Sequence, residues 1–157
     1  MKIHSGFAVD APPDQVFAYL LDVSQVVGCV PGAELAEVID NDTFRGKLKI
    51  KVGAVQVTYQ GMAHIVETEE GDDRVTVRLE ASGKEVGGQG AVRATMALTV
   101  AAADGGGSQV DIDTDFTVTG KIAQFGRGVI EDVSKRLVGQ MAACISANLG
   151  GAVPAGS

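Results

Sequence analysis

The hydrophobic period of this chain changes once, close to residue 120, and that change constrains the fold more than any other feature. From Ala33 to Gly120 apolar side chains alternate with polar ones, the pattern of strands with one face buried. After Gly120 the apolar spacing becomes helical, and Val129, Ile130, Val133, Leu137, Met141, Ile145 and Leu149 form one stripe. A chain with this order builds a sheet first and then lays a helix of about 20 residues over its apolar face.

The clearest alternation is Phe44, Leu48, Ile50 and Val52 against Arg45, Lys47, Lys49 and Lys51, which makes one face buried and the other basic. The same logic groups Val55, Val57, Tyr59, Ala63 and Ile65, then Val75, Val77 and Leu79, then Val92, Met96, Leu98 and Val100. Val110, Ile112, Phe116 and Val118 follow, with Asp111, Asp113 and Asp115 on the opposite face. Asn41-Asp42, Gly71-Asp72-Asp73 and Asp104-Gly105-Gly106-Gly107 supply the turns, so the strands read as hairpins.

Ahead of this run, residues 2 to 9 carry Ile3, Phe7 and Val9 on one alternating face. Asp10-Ala11-Pro12-Pro13 then ends the strand and starts a helix bearing Val16, Phe17, Leu20 and Leu21, with a second short helix over Ser24 to Val27. The fold class is α+β: a curved antiparallel sheet of about seven strands wrapped around a long C-terminal helix, with two short helices after the first strand. The domain spans residues 1–149, and the Gly/Ala/Pro-rich tail 150–157 reads as a flexible linker stub.

Composition narrows the function. With 157 residues, 45% of them hydrophobic but only 4% aromatic, the interior is mostly aliphatic, and its many alanines, valines and glycines can leave a gap between sheet and helix. The net charge of −7 counts against broad attraction to nucleic acid or an anionic bilayer. No apolar run reaches the length of a membrane span, and residues 1–6 carry no secretory h-region, so a cytoplasmic location is expected. Cys29 and Cys144 lack metal-site spacing and read as two buried thiols.

Catalysis would need a nucleophile, a base and an orienting partner, but His4 and His64 stand on different strands with no motif around them, so no enzyme and no metal site is expected. Gly87-Gly88-Gln89-Gly90 reads as turn glycines, since neither Gly83-Lys84 nor Gly120-Lys121 is followed by the Ser or Thr of a phosphate loop. The Arg45 to Lys51 stripe is either a solvated strand face or a docking stripe for an acidic partner. The Asp111 to Asp115 series would pair with it if the two strands were neighbours.

Several segments together resemble a known family. They are Ala11-Pro12-Pro13-Asp14-Gln15-Val16-Phe17, Cys29-Val30-Pro31-Gly32-Ala33-Glu34-Leu35, Tyr59-Gln60-Gly61 and above all Thr119-Gly120-Lys121-Ile122-Ala123-Gln124-Phe125-Gly126-Arg127-Gly128. Over residues 2 to 149 the chain resembles the CoxG family of carbon monoxide dehydrogenase subunits, within the START-like (SRPBCC) superfamily. The resemblance implies a helix-grip fold with an internal hydrophobic cavity. It also implies an accessory role beside a molybdenum-containing carbon monoxide dehydrogenase, peripheral to the inner face of the cell membrane.

Taken with the residue pattern, the resemblance places a ligand between Tyr59, Leu79, Met96 and Phe116 on the strands and Val129, Ile130, Val133, Leu137 and Met141 on the helix. Phe125 is expected at the mouth. Lys121 and Arg127 are expected to meet lipid head groups or the dehydrogenase, although Gly120 to Gly128 could equally be a plain strand-to-helix connection. The expected cargo is a hydrophobic small molecule, an isoprenoid quinone above all, because electrons from a soluble dehydrogenase must reach an acceptor dissolved in the bilayer. The alternatives are a recruitment or maturation factor with an incidental cavity, and a general lipid-binding protein.

Overall fold

A computed structural model describes residues 1–149; the expected tail 150–157 lies outside the described residues. Strand β1 (Lys2–Val9) leads into α1 (Pro13–Leu21), α2 (Val23–Val26) and a 3₁₀ turn (Val27–Cys29). Six strands follow: β2 (Ala33–Asp40), β3 (Thr43–Val52), β4 (Val55–Glu70), β5 (Arg74–Glu85), β6 (Ala91–Ala102) and β7 (Ser108–Val118). A second 3₁₀ turn (Ile122–Gln124) joins β7 to α3 (Arg127–Leu149). This is the helix-grip arrangement expected from the sequence.

The sheet order is β1-β7-β6-β5-β4-β3-β2, antiparallel throughout, so each of β2 to β7 pairs with its chain neighbour and β1 closes on β7. Local chemistry explains the breaks. Pro13 stands in the first turn of α1, where a missing N–H costs nothing, and Asp14 favours the positive helix end. The turn before β7 needs three consecutive glycines because Gly105, Gly106 and Gly107 all have positive φ.

Register assigns the two faces. The inner face carries the apolar series, from Phe44, Leu48, Ile50 and Val52 on β3 across to Ile3, Phe7 and Val9 on β1. The outer face carries Arg45, Lys47, Lys49 and Lys51 on β3 and Asp111, Asp113 and Asp115 on β7. These two charge series cannot pair, because β4, β5 and β6 lie between them. Arg45 instead bonds Glu37 at 2.8 Å, and the partner of Asp113 is His4, with Nδ1 2.7 Å from its carboxylate.

The two cysteines overturn the expectation of free thiols: Cys29 and Cys144 form a disulfide. Their sequence separation of 115 gave no hint of the pairing. The fold supplies it, because the 3₁₀ turn after α2 packs against the C-terminal half of α3, with the two Cα atoms 5.4 Å apart.

Candidate functional site

Two clusters of buried residues lie at opposite ends of the interior. At one end Val9, Val16, Tyr19, Cys29, Val100, Val110, Ile112 and Ile145 form a cluster, against which Met96, Leu98, Met141 and Leu149 pack. At the other, Val52, Val57, Tyr59 and Ile122 form a second cluster with Val92, Val118, Phe125 and Val133 around them. Helix α3 spans both, and its C-terminal half holds its one fully buried residue, Ile145.

Between the clusters the inner face is lined by small residues in two cross-strand rows. Gly46, Gly61 and Gly83 stand abreast on β3, β4 and β5. In the next row Ala63, Ala81 and Ala94 stand abreast on β4, β5 and β6, between Phe44 and Phe116. Two of the glycines also lie close against the backbone of a neighbouring strand. A Cβ on Gly61 would run into the Ser82 carbonyl oxygen, and one on Gly46 into that of Glu34. Side-chain volume is therefore absent along a floor that larger neighbours border on each side.

The expected ligand residues distribute over this layout. Tyr59 is buried in the second cluster, and Phe125 and Val133 pack on it. Met96 and Met141 border the first cluster. Leu79, Phe116, Ile130 and Leu137 belong to neither and are only half-buried, although the register turns Leu79 and Phe116 to the inner face. Val129 is 42% exposed. Counting back from Ile145 in steps of four turns the helix by about 40° each time, so Val129 points some 160° away from it.

At the edge of the glycine row lies a polar group that sequence reading missed. Glu85 stands directly opposite Tyr59 in the β4–β5 register and is 8% exposed. Its Oε2 accepts from the Gly90 backbone N–H at 3.1 Å, and its Oε1 lies 3.9 Å from Lys121 Nζ. Gly88, Gly90 and Gly120 form its cradle, since a Cβ on any of them would collide with the carboxylate. Gly87 to Gly90 are thus turn glycines, as the sequence implies, with the added task of admitting a buried carboxylate. The signal was available as a lone acidic residue at an inner-face position, though only the register makes it legible.

The Tyr59 hydroxyl has no hydrogen-bond partner, and it is the only such buried side-chain atom among the described residues. Burial, and after it the Glu85 charge, pushes its phenol above the ordinary value, so it remains a protonated donor. The cationic residues expected at the mouth already have partners. Besides the Lys121 contact, Arg127 Nε bonds Glu131 at 2.7 Å and its Nη2 donates to the Lys2 carbonyl at 3.1 Å. Both side chains are nonetheless largely exposed.

The outer face offers a poorer site. Two open depressions of about 570 and 600 Å³ lie there, walled by exposed residues such as Arg78, Glu80, Arg93 and Asp115. Neither contains a buried polar group in need of a partner. His64 bonds Thr43 on the same face at 2.9 Å, far in the sheet from His4. Among the described residues no cluster of His, Cys, Asp or Glu could hold a metal ion, and no helix is long and apolar enough to cross a membrane.

Comparison with known proteins decides the family. The sequence profile of the carbon monoxide dehydrogenase subunit CoxG matches residues 6–150. The chain belongs to the CoxG family. No curated protein matches it. A conserved protein from Geobacillus kaustophilus superposes with a TM-score of 0.79 at 20% identity, covering 96% of this chain and 95% of that one. A START superfamily protein from Mycobacterium smegmatis gives 0.61 at 11% identity, over 95% and 97% of the two chains. The Zhui aromatase/cyclase from Streptomyces sp. R1128 gives 0.57 at 16%, over 94% and 92%. At these identities the structures speak for the START-like fold alone. CoxG membership implies association with carbon monoxide dehydrogenase.

Proposed function

We propose that this CoxG-family protein carries a lipophilic cargo, an isoprenoid quinone, between the membrane and a molybdenum-containing carbon monoxide dehydrogenase, and performs no chemistry on it. The observation that carries this reading is the floor of Gly46, Gly61, Gly83, Ala63, Ala81 and Ala94 between two packed clusters. A dry core would fill that space with branched side chains. An apolar tail entering it instead gains about 0.8 kcal/mol for each CH₂ buried, enough for a few isoprene units to compete with the bilayer.

The residues take roles accordingly. Leu79, Phe116, Ile130 and Leu137 supply apolar wall, Met96 and Met141 adapt its shape, and Phe125 closes one end. Lys121 and Arg127, exposed beside that end, meet lipid phosphates or the dehydrogenase while the protein rests on the inner face of the membrane.

The test uses protein purified from its native host and its Ala81→Leu variant. Native mass spectrometry of the wild type is expected to reveal a bound quinone, and Ala81→Leu is expected to lose at least tenfold in quinone affinity at little cost in stability. In a close-packed core the added methylenes would destabilise by about 1–3 kcal/mol. Wild-type protein that carries no quinone and binds none added in detergent overturns the reading, and co-purifying phospholipid replaces the cargo.

A further inference from the structure

Two groups at the edge of the interior remain without a task in a purely apolar container. A hydroxyl sealed from water without a partner is costly, and native folds rarely keep one unless something completes it. A carboxylate on the inner face is costlier still, and this one is held by a cradle of three glycines. Tyr59 and Glu85 are cross-strand neighbours, so the two costs fall at one spot, beside the glycine row.

We propose that Tyr59 and Glu85 form the polar head of the interior site, where Tyr59 donates a hydrogen bond to a neutral acceptor such as a quinone carbonyl and Glu85 turns away free fatty acids. This rests on the carrier reading above and adds to it the chemical class of the head group.

The selectivity follows from donor and acceptor counts. Tyr59 is 4% exposed and brings one hydroxyl proton, with no acceptor of its own in the protein. Burial keeps that proton on the oxygen. An ionised carboxylic acid could accept from the same hydroxyl, but it would then bring a second negative charge beside Glu85 in a poorly solvated place. The Lys121 ammonium offsets little of this, being 3.9 Å from Glu85 and with its side chain 65% exposed to screening water. A ketone or quinone carbonyl accepts the bond without adding charge. Ile122 and Phe125, on the segment between β7 and α3, belong to the same cluster as Tyr59. That segment begins at Gly120, which has a φ of 91° and backs on to the Glu85 carboxylate. The head group therefore enters where the chain changes from sheet to helix.

Delipidated full-length protein titrated with a decyl-substituted benzoquinone, decylbenzene and laurate tests this by calorimetry. Tyr59→Phe is expected to weaken the quinone about three- to tenfold, the worth of one hydrogen bond, and to leave decylbenzene within about twofold. Glu85→Gln is expected to strengthen laurate about threefold or more, with the quinone little changed. Tyr59→Phe should also melt no lower than the wild type without ligand, since the lost hydroxyl had no partner. Wild type that binds the quinone no better than Tyr59→Phe does, or that prefers laurate, overturns the head-group assignment while the carrier reading stands. Wild type that binds none of the three overturns the carrier reading itself. Should Glu85→Gln fail to fold, the Tyr59→Phe comparison decides.

Discussion

The two ends of the interior are built by opposite rules. At the closed end, α1, the 3₁₀ turn after α2 and the last turns of α3 bury Val16 and Ile145 completely, and the Cys29–Cys144 bond ties turn to helix. Even the polar groups there are matched: the Tyr19 hydroxyl accepts from Asn148 Nδ2 at 2.8 Å. At the open end the sheet presents glycine and alanine, the facing helix residues are half-buried, and the Tyr59 hydroxyl has nothing to bond. One helix serves both purposes because its apolar stripe rotates. Ile145 faces the core squarely, whereas the same series reaches solvent by Val129. The fully buried side chains are thus concentrated at one end, and the small side chains and the unpaired hydroxyl at the other.

The sharpest way to break this contrast is to truncate one helix residue at each end. Ile145→Ala should cost about 2–5 kcal/mol in urea unfolding, the range for a filled core site. Leu137→Ala should cost under about 1 kcal/mol, because Leu137 belongs to neither cluster. Equal costs would mean that the interior is packed from end to end.

Removing the staple is the next largest effect. Cys29→Ser with Cys144→Ser is expected to lose about 2–4 kcal/mol of stability and to leave quinone affinity within about twofold, since the bond lies at the closed end. A loss of binding without a loss of stability would link the two ends. The same variant mimics the reduced protein, which is the form a cytoplasmic location would favour.

The smallest effect lies on the outer face. The hydrogen bond from Asp113, with the charges of Asp113 and Asp111 behind it, raises the His4 pKa above the ordinary 6.5. A raised value means that the pair stabilises the fold fully below the unfolded pKa and stops doing so as pH rises through the folded one. The side chain is 62% exposed, so the effect is small and salt-sensitive. An NMR titration should find the His4 value returning towards the ordinary one in Asp113→Asn, with ligand binding unaffected.

Most of the fold was legible because period is a local property. Each alternating series named from the sequence lies on one face, from Phe44–Val52 to Val110–Val118, and the change near residue 120 does mark the passage from sheet to α3. The candidate site was legible only as a set of apolar residues. In the sequence Tyr59 stands out for its bulk, whereas its significance lies in an unpaired hydroxyl; Glu85 does not stand out at all, and the glycines of β3, β4 and β5 read singly.

The sequence alone determined the strand and helix order, the facing of the alternating apolar series on the strands and the family, because these depend on residues close together in the chain. Tertiary structure decided everything that depends on which strands become neighbours. It aligned Gly46, Gly61 and Gly83 into one row and brought Cys29 to Cys144. It also kept the lysine and aspartate stripes apart by three strands and set a buried carboxylate beside a buried phenol. Register is a property of pairs of strands, and no single strand carries it.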